Sequence, residues 1–110
     1  MKAVLLTIVA LIGMTIDGTH ARALQYMFET KIDHITGGGD SSPTFNMRYL
    51  VDDQYWRASA NDSNALRPIL FYAGNEGSVW DFYENSGFMT TTLAKKWGAL
   101  VVFGEHRYFG

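Results

Sequence analysis

Two uninterrupted apolar runs organise the second half of the chain. Pro68–Ala73 (Pro-Ile-Leu-Phe-Tyr-Ala) ends at Gly74, and Ala99–Phe103 (Ala-Leu-Val-Val-Phe) ends at Gly104. Continuous runs of this kind, without alternation, suit strands covered on both faces. Between them Phe88–Trp97 contains Leu93, Lys95 and Lys96 among good helix formers, and Gly98 follows as a stop. A glycine there supplies the left-handed residue that commonly ends a helix. Strand, helix and strand at this spacing predict a parallel βαβ unit. Upstream, Phe45, Met47 and Tyr49 alternate with Asn46, Arg48 and Leu50. Asp52-Asp53 offers turn chemistry and Gln54-Tyr55-Trp56 returns, so Thr44–Trp56 reads as a β-hairpin. Leu24–Ile35 has no clean period, and Thr36–Pro43, with its three glycines, is a flexible connector. The expected class is α/β: a hairpin leading into a parallel βαβ unit.

The extreme N-terminus follows a different rule. Met1-Lys2 precedes an apolar run, Ala3–Met14, and the polar stretch after it ends in Ala21-Arg22-Ala23. A charged start, an apolar core and a small-x-small site form a secretory signal peptide, and the run is short for a permanent membrane span of ~20 residues. A buried helix is the plainer alternative. On the signal reading, residues 1–23 are removed and residues 24–110 form the working portion, with no membrane anchor after cleavage. Asn61-Asp62-Ser63 is then an N-glycosylation acceptor in a polar, loop-like stretch, Ala58–Ala65.

Composition narrows the function classes. With hydrophobic residues at 47% and charged ones at 18%, the chain is of globular type rather than disordered. The net charge of -2, with Lys and Arg scattered, gives no footprint for nucleic acid. The absence of cysteine excludes disulfides, thiolate metal sites and Cys nucleophiles within these residues. No metal site or cofactor is expected: Asp52-Asp53 is better explained as a turn. Gly37-Gly38-Gly39 lacks the strand before it and the helix after it that a phosphate loop needs.

Chemistry in open α/β sheets gathers outside the carboxyl ends of the strands. Two loops occupy that position here: Gly74-Asn75-Glu76-Gly77 and Gly104-Glu105-His106-Arg107-Tyr108. No serine stands in a Gly-x-Ser-x-Gly elbow, since Ser78 directly follows Gly77 and Ser86 has Glu84 where the first glycine belongs. His34 and His106 have no partner arrangement visible in the sequence, and a structural role is the simpler reading of His106 beside Arg107 and Tyr108. Gly74–Gly77 is either a tight turn or, as in the loop after the third strand of α/β-hydrolases, an active-site loop that donates an N–H to an oxyanion.

The segments Phe28-Glu29-Thr30-Lys31-Ile32-Asp33-His34, Thr44–Leu50, Asp53-Gln54-Tyr55-Trp56, Gly74-Asn75-Glu76-Gly77 and Glu105-His106-Arg107-Tyr108-Phe109-Gly110 occur in this order. Together they resemble the start of the prolyl carboxypeptidase, dipeptidyl peptidase II and thymus-specific serine protease family, from about Tyr26 to the last residue. Ile35 departs from it, where an aromatic residue is common. The resemblance implies an α/β-hydrolase core with an inserted helical domain. It implies a Ser-Asp-His triad that cuts peptides near a terminus, after proline or a small residue. It places the triad serine beyond the Glu-His-Arg-Tyr segment and the other two members later still. Residues 24–110 are therefore expected to be the N-terminal portion of such a peptidase, incomplete as a fold and inactive alone. A secreted binding module derived from the family is the rival reading. By resemblance Asn75 and Glu76 line the active site. Glu76 would pair with a substrate α-amine, or the loop's N–H groups would meet an oxyanion. Peptides are the expected partners, a homodimer is left open, and the expected location is the secretory pathway, lysosomal or extracellular. A sheet lacking neighbours, with no disulfide, is expected to be marginally stable.

Overall fold

The computed structural model describes residues 23–35, 42–64 and 66–109. They form one mixed four-stranded sheet with short helices packed on one side, which is α/β in character. The strands are β1 (Leu24–Lys31), β2 (Thr44–Asp52), β3 (Ile69–Ala73) and β4 (Leu100–Gly104), in the spatial order β1-β2-β4-β3. Strand β1 runs antiparallel to β2, and β2 antiparallel to β4. Strand β3 lies parallel to β4, as the βαβ reading requires, with Ala73 opposite Gly104.

The hairpin is formed by other residues than the alternation in Thr44–Trp56 indicates. Strand β2 ends at Asp52, and Gln54–Ala58 is a short helix, α1, not a returning strand. Its partner is β1, the segment without clean periodicity, paired from Leu24 opposite Val51 to Lys31 opposite Thr44. The Asp pair decides this. Asp52 Oδ1 accepts the Gln54 N–H at 3.1 Å, turning the chain sharply. Asp53 then bonds Arg57 one helical turn on, at 2.6 Å. That exposed contact, by hydrogen bond first and charge second, holds the Arg57 guanidinium above its ordinary pKa. The return path is a helix because an i, i+4 pair fits helical spacing and a two-residue repeat does not.

Between β3 and β4 the chain makes more helix than the sequence indicates. Helix α2 (Val79–Glu84) comes first. A wider, π-helical stretch, Phe88–Leu93, leads into α3 (Ala94–Trp97), which together span the expected helix. Gly98 ends it in the left-handed conformation at φ 58°. A Cβ there would lie 2.6 Å from Ser59 Cβ and Oγ, so glycine is required on both counts.

Strand register sorts the side chains into two rows. One holds Leu50 opposite Phe103, and Val101 opposite both Asp52 and Leu70. The helices contribute Val79 and Ala94 to this row, making the core with Leu50, Val101 and Phe103, all of them fully buried. An aromatic chain extends it: Tyr72 stacks on Phe103 with centroids 4.8 Å apart, and Tyr83 meets Phe103 edge-on at 5.4 Å. The other row pairs Phe28 with Met47, Tyr26 with Tyr49, Val51 with Val102 and Phe71 with Val102. Among the described residues no helix covers it, and Phe28, Ile69 and Phe71 remain 59%, 61% and 63% exposed. The two-sided burial expected of β3 and β4 is thus realised on one side only.

Candidate functional site

The parallel pairing of β3 with β4 brings both predicted loops to the same end of the sheet. Gly74 leaves β3 directly beside the point where Glu105 leaves β4. The approach is backbone against backbone. A Cβ on Gly74 would lie 2.3 Å from His106 N, 2.4 Å from Gly104 O and 2.7 Å from the Glu105 carbonyl carbon. Only glycine permits that proximity, so the two loops form one unit.

Within the first loop, Asn75 and Glu76 are both exposed. Asn75 Oδ1 accepts the Glu76 N–H at 2.8 Å. The Glu76 amide is thereby occupied, while no described residue bonds its carboxylate. Gly77 follows in tight quarters, a Cβ there falling 3.3 Å from the Phe82 ring. Ser78, in extended backbone, then starts α2. Phe82 stacks on Tyr72 at 5.8 Å, so the aromatic core pins the far end of the loop.

The second loop is tied to the hairpin. Glu105 is buried at 8% exposure. Its N–H donates to the Arg48 carbonyl at 3.0 Å, and its Oε2 lies 3.9 Å from Arg48 Nε. His106 is exposed, with Nδ1 3.1 Å from the Arg107 carbonyl oxygen and its ring edge-on to Phe109 at 4.9 Å. Arg107 Nη2 donates to the carbonyls of Lys31, at 2.9 Å, and Ile32. Its guanidinium lies over the rings of Phe45, at 4.9 Å, and Tyr108, at 5.0 Å. Next to this unit, Phe28, Met47, Tyr49, Phe71 and Val102 line a mostly apolar cavity of about 280 Å³ with Arg48 and Glu105 at its edge.

Gly74, Asn75, Glu76 and Gly77 are brought together with the β4 loop, which the sequence placed at the same sheet end only through the βαβ reading. Asn61 lies in an exposed turn after α1. What sequence reasoning missed is a second role of Asp52 beyond the turn. The residue is 4% exposed and also accepts the Tyr83 hydroxyl at 2.7 Å, joining β2 to α2. The only hint was an acid at the end of an apolar strand. Among the described residues no three His, Cys, Asp or Glu side chains gather as metal ligands, and no helix is long and apolar enough to cross a membrane.

The sequence profile of the family described as serine carboxypeptidase S28 matches residues 30–110. The chain belongs to that family. Human lysosomal Pro-X carboxypeptidase is 45% identical over 83 residues, covering 76% of this chain and 15% of that protein. Human thymus-specific serine protease is 37% identical over 67 residues, covering 61% of this chain and 12% of its own length. A Caenorhabditis elegans prolyl carboxy peptidase like protein 5 is 44% identical over 66 residues, 60% of this chain and 11% of its length. The S28 chain described here thus spans about 11–15% of the length of the curated relatives it matches. Both candidate loops lie inside the S28 match.

Proposed function

We propose that residues 24–110 are the opening part of an α/β-hydrolase-type serine exopeptidase, and that the Gly74–Gly77 loop forms one wall of its substrate site. The observation that supports this most directly is the fusion of the two loops through Gly74 at the carboxyl ends of the parallel strands. That is where open α/β sheets bind ligands. Membership of a serine carboxypeptidase family supplies the reaction class: attack on a peptide carbonyl by an activated serine, through an oxyanion that needs N–H donors.

No serine of the sequence stands in a Gly-x-Ser-x-Gly elbow, and among the described residues no acid is bonded to His106, whose Nδ1 faces the Arg107 carbonyl. On this reading the 110 residues alone are inactive, and they act by shaping the site. Of the two roles open to the 74–77 loop, recognition of a substrate ammonium by Glu76 has the better support. Its N–H is taken by Asn75, whereas its carboxylate is exposed and without a described partner. A charge-assisted hydrogen bond of this kind contributes ~1.5–3 kcal/mol, or about ten- to more than a hundredfold in kcat/KM.

The decisive experiment replaces Glu76 by Gln in a full-length peptidase bearing this loop. A loss of that size for substrates with a free α-amine, absent for N-blocked ones, is the expected result. Equal kinetics on both classes removes the amine role and leaves Glu76 a turn residue. Incubating the 110-residue chain with a fluorophosphonate probe tests inactivity, and covalent labelling refutes it.

The route is secretory, with residues 1–23 as the signal, Asn61 glycosylated, and a lysosomal or extracellular destination. A human relative named lysosomal supports this route. The position of Asn61 in an exposed turn leaves room for a glycan. Residues 1–22 lie outside the described part of the structure, so N-terminal sequencing of the secreted chain is the test. Retention of Met1 overturns the signal, and a mass unchanged by glycosidase overturns the glycan.

A further inference from the structure

We propose that Arg107 is a positioning residue, which sets the place of the Gly74–Gly77 loop by clamping the β4 loop onto the turn end of the β1–β2 hairpin. The inference rests on the reading of that loop as a substrate wall, and it concerns how the wall is held.

Arg107 sits where three pieces of chain meet. Its Nη2 donates to two successive carbonyls, Lys31 and Ile32, at the end of β1. The hairpin is closed just there by the Ile32 N–H donating to the Pro43 carbonyl at 2.8 Å. The guanidinium plane lies over Phe45, from the start of β2, and over Tyr108, its own neighbour. Phe45 and Tyr108 stack on each other at 5.2 Å. One planar cation thus joins the carbonyls of β1, a ring of β2 and the loop after β4. Stacking and forked donation together use the properties that distinguish Arg from Lys. The backbone requires such a hold, because Tyr108 is at φ 69°, in the left-handed region that a residue with a Cβ enters only when its surroundings impose it.

The clamp reaches the candidate site through Gly74. His106, adjacent to Arg107, presents its backbone nitrogen 2.3 Å from where a Gly74 Cβ would lie. A backbone contact cannot relax by changing a rotamer, so a shift of the β4 loop is passed on to the loop after β3. Among the described residues no hydrogen bond or ion pair joins Arg107 to Asn75 or Glu76, so its influence on them is by position.

Amide hydrogen exchange on the 110-residue chain tests this without any peptidase activity, so a null result for Glu76→Gln does not touch it. In Arg107→Lys, a point charge cannot span both carbonyls while lying flat on two rings. Amides of 74–77 and 105–109 are expected to exchange at least about tenfold faster, while β2 and β4 stay within about twofold of the parent. Phe45→Leu keeps the donated bonds and removes one ring, so the same pattern is expected at smaller amplitude. It also decides the matter if the Lys variant does not fold. Loosening of 105–109 with 74–77 unchanged overturns the proposal, because Arg107 then holds only its own loop. A uniform rise across all segments overturns it as well, because Arg107 then contributes to stability alone.

Discussion

The two faces of the sheet are built from alternate residues of the same strands, and both are apolar. On one, Leu50, Val101 and Phe103 are sealed by Val79 and Ala94 from the helices. On the other, Phe28, Ile69 and Phe71 are more than half exposed. A run such as Ile69-Leu70-Phe71-Tyr72 is therefore a statement about two covers, of which the described residues provide one. Burying a large apolar side chain fully is worth ~1.5–3 kcal/mol, so the covered row holds the fold while the open row contributes little to it. The sharpest way to break this comparison is to truncate one phenylalanine on each face. Phe103→Ala is expected to cost about 3–5 kcal/mol, because it empties the centre of the aromatic core. That is a large part of the ~5–15 kcal/mol by which domains are usually stable. Phe71→Ala is expected to change stability much less. Urea midpoints read both, and equal losses would mean that the open face is not open.

The second contrast lies at the loops. Gly74 and Gly87 are both glycines, but a Cβ at Gly87 meets nothing within 4 Å, whereas one at Gly74 meets three backbone atoms closer than 3 Å. Gly74→Ala is expected to destabilise by about 1–3 kcal/mol or more, since backbone must move to admit the methyl group. It should also displace the 74–77 and 105–108 loops together. Gly87→Ala is expected to be close to neutral. A tolerated Gly74→Ala, seen as an unchanged urea midpoint, would show that the two loops are not held as one unit.

Much of this architecture was legible from local pattern. The continuous runs at 68–73 and 99–103 are strands, Gly98 stops the helix, and parallel pairing puts both loops at one end. What was illegible depended on partners distant in sequence. Strand β1 shows no alternation because its outer positions are exposed on both faces, with only Thr30 buried within it. Its apolar pattern is therefore not enforced by a core. Asp52 looked like a turn residue, and it is one, but its buried bond to Tyr83 spans 31 positions and has no local signature. Tyr83→Phe tests how much that bond contributes. Removing the hydroxyl leaves a buried carboxylate one donor short, at an expected cost of about 1–3 kcal/mol. Retention of full stability would assign the hydroxyl's place to water.

The smallest effect on folding should accompany the largest change in solution behaviour. Phe71 lies 63% exposed on β3, an edge strand, in the row that also holds Ile69 and Val102. An apolar row beside a free strand edge invites pairing with other chains. Phe71→Ser removes the largest exposed ring of that edge and leaves Leu70 and Tyr72 of the covered row in place. Substitutions at such exposed positions usually stay within ~0.5 kcal/mol, so the urea midpoint is expected to move little. Light scattering of the purified chain, by contrast, should fall, and its elution volume should depend less on concentration. Two results would run against this. A large loss of stability would mean that Phe71 is structurally buried in solution, and unchanged association would place the sticky surface elsewhere than on the open face.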